Sequence, residues 1–157
     1  MSSETSKGAD TEIPIFLEFA AAANLLIDAQ SVEKRMPPDP DIRCRLSTGE
    51  LVAYELVEIC DQNIAKDKLS GSYIRTSDPS VEIVKKKLKK SYPPQLPVEL
   101  LCYKNGRVVS PDGYIAELLS PILSGSQFQY RRVWLFGSRG AQLLWPPANH
   151  SLQAGRP

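Results

Sequence analysis

Residues 51–60, LVAYELVEIC, read as a β-strand apolar on both faces and interrupted only by Glu55 and Glu58. No other stretch constrains the fold so tightly. A strand of this kind is buried, and a buried carboxylate must be paired, protonated or bound to a metal, because an isolated charge shifts its pKa sharply rather than stay ionised in an apolar site. Glu55, between Tyr54 and Leu56, meets that condition most directly.

Just upstream, Ile42, Cys44 and Leu46 alternate with Asp41, Arg43 and Arg45, the pattern of a half-buried strand, and STGE supplies a tight turn between the two strands. The register of this hairpin decides which acids meet. With Thr48 and Gly49 as a two-residue loop, Ile42 lies opposite Glu55 and Asp39 opposite Glu58, so Asp41 and Glu55 point to opposite faces. One bulged residue reverses this and brings Asp41 beside Glu55. In either register one carboxylate pair, Asp41 with Glu55 or Asp39 with Glu58, shares a face at roughly the 4.5–5.5 Å of cross-strand neighbours. Such a pair suits Mg²⁺, which takes oxygen ligands and keeps several waters.

Around the hairpin, apolar residues from Ile15 to Ile27 return at helical spacing, which predicts a first helix from about Pro14 to the low thirties, ended by MPPDP. Residues 61–76 read as a loop with a short strand at SYIRT. SDPSVEIVKKKLKKSY predicts a helix capped by Asp78, with Pro79 in its first turn and lysines towards its C-terminal end. PVELLCYKNGRVV reads as a strand and an Asn-Gly turn, PDGYIAELLSPILSG as a helix weakened by Pro121 and ended by Gly125, and YRRVWLFGSRGAQLLWP as a hairpin. This order suits an α/β or α+β fold with a mixed sheet flanked by helices. Residues 13–147 form the single domain, between a disordered tail over 1–12 and a flexible one over 148–157.

Composition narrows the chemistry. The 157 residues suffice for one core, and 42% hydrophobic with 24% charged residues exclude wholesale disorder. A net charge of +1 provides no global field to recruit nucleic acid. Cys44, Cys60 and Cys102 stand singly in apolar runs, as buried thiols in a reducing compartment do. With no signal-peptide core and no membrane-length apolar run, the expectation is a soluble cytoplasmic protein with no membrane contact. The single histidine, His150, lies in the C-terminal tail, which excludes a Ser-His-Asp triad, a Cys-His pair and histidine-ligated zinc.

Pro40-Asp41 at the start of one strand, followed by Glu55-Leu56-Val57 in the next, resembles the PD-(D/E)xK nuclease superfamily, the restriction-endonuclease-like fold. Members often carry a further acid in the preceding helix, and Glu18 in FLEFAAAA is the matching position. The resemblance implies a metal-dependent nuclease in which Asp41 and Glu55 hold Mg²⁺ or Mn²⁺ and Glu18 is an auxiliary ligand or orienter. It also implies nucleic acid as substrate. A domain of this size and modest charge would need a homodimer or a protein partner to hold a duplex.

Two departures stand against that pattern. The family's lysine, two residues after the acid, is Val57 here, and no clear strand precedes the proline-aspartate strand. Some members move the lysine to a nearby helix or replace it; Lys66, Lys68 and Gln62 are the substitutes considered. Plainer roles stand beside each of these. Asp39 and Asp41 serve as turn residues, Glu55 pairs with Arg43, Arg45 or Arg131, and KKKLKK is a solvated face. On that side the chain is a non-catalytic member of the same fold that binds protein or nucleic acid.

Overall fold

The computed structural model describes residues 3–61, 78–93 and 95–147. They form one α/β unit: α1 (Ser3–Ala22), β1 (Ile27–Lys34), β2 (Ile42–Leu46), β3 (Leu51–Glu58), α2 (Ser80–Leu88), β4 (Val98–Tyr103), α3 (Asp112–Gly125), β5 (Val133–Gly137) and β6 (Gly140–Trp145). The six strands make one sheet in sequence order, with β3, β4 and β5 parallel and every other neighbouring pair antiparallel.

The two parallel connections, β3 to β4 through α2 and β4 to β5 through α3, step the same way across the sheet. Right-handed crossovers therefore put both helices on one face. Val84 and Leu88 of α2 and Ile115, Leu119 and Leu123 of α3 share a core with Ala53, Leu100, Cys102 and Leu135. The opposite face is covered by α1, whose Phe16 and Phe19 pack with Tyr54, Leu101 and Tyr103. Ring centroids stand 4.8 Å apart for Phe16 with Tyr54 and 5.3 Å for Phe19 with Trp134. With a layer on each side, β4 is buried along its whole length, as parallel strands usually are.

The first helix is corrected at both ends. It begins at Ser3, with Pro14 inside it, and stops at Ala22 instead of running to the low thirties. Asn24 adopts φ +57°; its N–H reaches the Ala21 carbonyl (3.2 Å) and the Leu25 N–H the Ala20 carbonyl (2.9 Å). This is a Schellman cap with asparagine in the left-handed position. The residues past it, expected to be helical, form β1. That strand lacks clean alternation because its pairing with β2 is irregular between Asp28 and Glu33, where the Ser31 hydroxyl accepts the Arg45 N–H (2.8 Å).

From Ser80 onward the expected elements are present. The Asp78 carboxylate accepts the Ser80 N–H at the start of α2 (2.7 Å), Pro121 lies inside α3, and β5 and β6 form the hairpin. The expected loop over 61–76 and the strand at SYIRT fall almost wholly outside the described residues, as do Gln62, Lys66 and Lys68. Among the described residues no helix is long and apolar enough to cross a membrane.

Candidate functional site

The β2–β3 hairpin resolves the register. Ile42 pairs with Tyr54 and Arg45 with Leu51, and the connection is three residues long, 47–49. The Leu46 N–H reaches the Glu50 carbonyl and the Gly49 N–H the Leu46 carbonyl (both 2.8 Å), with Gly49 at φ +97°. A three-residue loop closed by a positive-φ glycine adds one residue to the two-residue loop. The ladder ends at Ile42–Tyr54, and the next residues outward are Asp41 and Glu55. The Asp39/Glu58 pair does not form: Asp39 binds Arg35 (3.0 Å) and Glu58 binds Arg107 (2.9 Å to its Nε).

Asp41 sits where β2 departs from β3. There its Oδ2 accepts the Leu56 N–H (2.9 Å), a strand donor that β2 backbone no longer satisfies. Its Oδ1 faces Lys34 Nζ at the end of β1 (3.4 Å), and Lys34 also binds Glu12 of α1. Glu55 is 2% exposed, and its Oε2 accepts hydrogen bonds from Lys87 Nζ of α2 (2.7 Å) and Lys90 Nζ just beyond that helix (2.8 Å). Glu12 and Asp41 thus meet at Lys34, and Glu55 meets Lys87 and Lys90.

Burial pushes Glu55 upward, but the two lysine hydrogen bonds outweigh it and hold the carboxyl below its ordinary value. Lys90 shows the reciprocal effect: burial lowers it, yet Glu55 and Asp41 raise it overall. For Glu12, burial prevails over Lys34, and nearby Asp41 and Glu55 add to the rise. Its carboxyl therefore protonates more readily than an ordinary glutamate.

Asp41 and Glu55 flank the end of the β2–β3 ladder, Asp41 held by Lys34 and Glu55 by Lys87 and Lys90, and Glu18 joins neither set among the described residues. Glu18 is exposed, and the acid that α1 delivers is Glu12, on the same helical face as Phe16 and Phe19. The arginines considered for Glu55 are engaged elsewhere. Arg43 binds Glu33 (2.7 Å), Arg45 the Gly49 carbonyl (2.8 Å), and Arg131 joins Arg132 and the Trp134 indole around buried Glu99. Lys87 and Lys90, read from the sequence as part of a solvated run, are the actual partners. Their spacing carried a usable signal, since positions three apart lie on one helical face.

Comparison with known proteins gives no match. No family model, curated protein or solved structure aligns with this chain. The chemistry of the site must therefore be argued from its own residues.

The carboxylate oxygens of Asp41 and Glu55 are the hard donors that Mg²⁺ takes, and one or two carboxylates plus waters satisfy that ion. Their charge is already balanced by lysine, and no group of three potential ligands lies close enough to hold a metal among the described residues. The donor set fits a water-rich Mg²⁺ bound by two carboxylates, and does not form an all-protein cage.

Proposed function

We propose that this chain is a restriction-endonuclease-like, metal-dependent nuclease. The observation that carries the reading is the contact of Lys87 and Lys90 with buried Glu55, at the ladder end that Asp41 also flanks. A lysine delivered from the neighbouring helix answers the departure at Val57, and β1 answers the other by preceding the proline-aspartate strand. On this reading Asp41 and Glu55 would hold Mg²⁺ or Mn²⁺. An ion bound there would supply a hydroxide-like water and charge neutralisation at the phosphodiester. Lys87, half-buried and fixed on Glu55, orients the attacking water; the more exposed Lys90 is the lysine free to move to the phosphate. Buried free Cys44, Cys60 and Cys102 support a reducing, cytoplasmic setting.

One observation favours a non-catalytic member of the same fold. Both lysines close on a single oxygen of Glu55, and a static ion-pair cluster needs no metal. Calorimetric titration of Mn²⁺ into wild type and Glu55→Gln separates the two, with cleavage assays on single- and double-stranded DNA and RNA. The nuclease reading expects saturable binding that the substitution abolishes, together with metal-dependent cleavage that Lys87→Met suppresses while binding persists. Binding without cleavage would favour the non-catalytic relative. No binding by wild type would leave the acids purely structural.

A further inference from the structure

Two residues along β3 from Glu55, about 6.6 Å away at the rise of a strand, Ala53 lies on the same sheet face. It lines a cleft of about 120 Å³ that opens beside the carboxylates. Pro40, Tyr92, Pro93, Leu96 and Val98 line it with Ala53, and Arg35, Asp39, Arg43 and Gln95 are its polar groups. Tyr92 adjoins both places, because Lys90, which binds Glu55, stands over its ring, 5.6 Å from the centroid. The segment bearing it is fixed by a reciprocal pair of hydrogen bonds, Tyr92 N–H to Gln129 Oε1 (2.7 Å) and Gln129 Nε2 to the Tyr92 carbonyl (2.9 Å). Arg43 is likewise held in place, by Glu33.

Basic groups predominate on the adjoining surface, where Glu82 is the exposed acid of α2. Lys85, Lys86 and Lys89 are exposed on and just after α2, and no carboxylate pairs with them among the described residues. Lys86 and Lys89 are the chain neighbours of Lys87 and Lys90, so the exposed lysines border those on Glu55. A polyanion crossing α2 towards Asp41 and Glu55 would meet them first.

The cleft is far smaller than the roughly 300–1,000 Å³ of typical small-molecule sites. Proline and leucine walls, one tyrosine, two guanidinium groups and one amide suit a single planar ring with polar edges, and the one carboxylate, Asp39, is taken up by Arg35 (3.0 Å). A stacked base pair does not fit between the walls. We propose that the cleft seats one unpaired base of a single-stranded nucleic acid whose backbone runs over the exposed lysines of α2. The placement rests on the nuclease reading and makes single strands the substrate of that site. Unpaired bases are held in this way elsewhere, stacked on aromatic or guanidinium groups and hydrogen-bonded at their edges.

Binding is measured in EDTA, which separates it from cleavage. The probes are fluorescently labelled single-stranded DNA and RNA of roughly ten nucleotides, a typical single-strand site size, and a blunt duplex of the same sequence. Single strands are expected to bind at least tenfold more tightly than the duplex. Gln95→Trp, an exposed position whose larger side chain fills the cleft, should weaken single-strand binding roughly fivefold or more, the loss of one stacked base. Lys86→Glu/Lys89→Glu should flatten the salt dependence by about 0.7 in log–log slope per lost phosphate contact. On wild type, the amide resonances of Ala53, Leu96 and Val98 should shift when the single strand is added. Equal or tighter duplex binding, unshifted Ala53 and Val98 amides, or no binding of any probe would overturn the proposal. Single-strand binding without metal-dependent cleavage would leave the cleft assignment standing and remove the nuclease, whereas duplex cleavage without single-strand preference would do the reverse.

Discussion

Glu55 and its two lysines are energetically unequal partners. The glutamate is buried on a central strand and cannot reach water, whereas the Lys87 and Lys90 side chains are 25% and 47% exposed and can. Removing the carboxylate therefore releases two lysines to solvent at modest cost. Removing both lysines strands a buried charge. Lys87→Met/Lys90→Met is expected to lower unfolding free energy by about 3–5 kcal/mol, the range for a buried ion left without its partner. Lys90→Met alone leaves the Lys87 bond in place and should cost less than about 1 kcal/mol, as an exposed pair does. Urea denaturation of the three proteins at neutral pH measures both. Equal losses for the single and double variants would show that Glu55 does not depend on Lys87. Sequence pattern alone could locate Glu55 as an acid needing a partner. It could not choose the partner, because arginines on β2 and lysines on α2 were equally available until packing fixed which stem reached the β3 surface.

At the scale of elements, two residues with positive φ determine where the site forms. Asn24 ends α1 and lets the chain turn back as β1, and Gly49 gives the β2–β3 loop the odd residue that sets Ile42 opposite Tyr54, with Asp41 and Glu55 next outward. Nothing stands within 4 Å of a β-carbon built on Gly49, so its requirement is conformational rather than steric. Gly49→Ala should then cost about 1 kcal/mol or slightly more through strain at φ +97°, and Asn24→Gly should be neutral within roughly 0.5 kcal/mol. Thermal melts of both variants check this; a neutral Gly49→Ala would mean the loop has another low-energy form. These two residues also explain which elements were legible. The strands and helices after Ser80 follow period and punctuation, and were readable. By contrast, β1 was hidden because an alanine-rich helix runs to within a few residues of it and an irregular pairing erases its alternation. Asn24, a residue that tolerates the left-handed conformation, is the stop signal in the sequence. Glu18 is exposed, whereas Glu12, in line with Phe16 and Phe19, reaches Lys34.

Across the whole molecule, the site couples folding to proton binding on both sides of neutrality, and the signs can be worked out group by group. Glu55 is depressed below its ordinary 4.5 in the folded state, so its stabilisation is complete above 4.5 and is lost as pH falls through the folded value. Lys90 is raised above 10.5, so its contribution is complete below 10.5 and is lost as pH rises through the folded value. Glu12 acts in the opposite sense to Glu55. Its folded carboxyl holds a proton more tightly than the unfolded one, so stability declines between 4.5 and its raised folded value as pH increases. Wild type should therefore have a urea midpoint that falls in acid below 4.5 and again in strong alkali. Glu55→Gln removes the group that titrates on the acid limb and the main partner that raises Lys90. Both limbs should flatten in that one variant. Glu12→Gln should instead remove the decline just above 4.5 and leave the alkaline limb of Lys90 intact. Urea midpoints measured against pH for the three proteins test this directly. A Glu55→Gln profile parallel to wild type on both limbs would mean that the Glu55–lysine contacts do not persist in solution. Divalent metal would then meet an open carboxylate pair and would not have to displace ammonium groups.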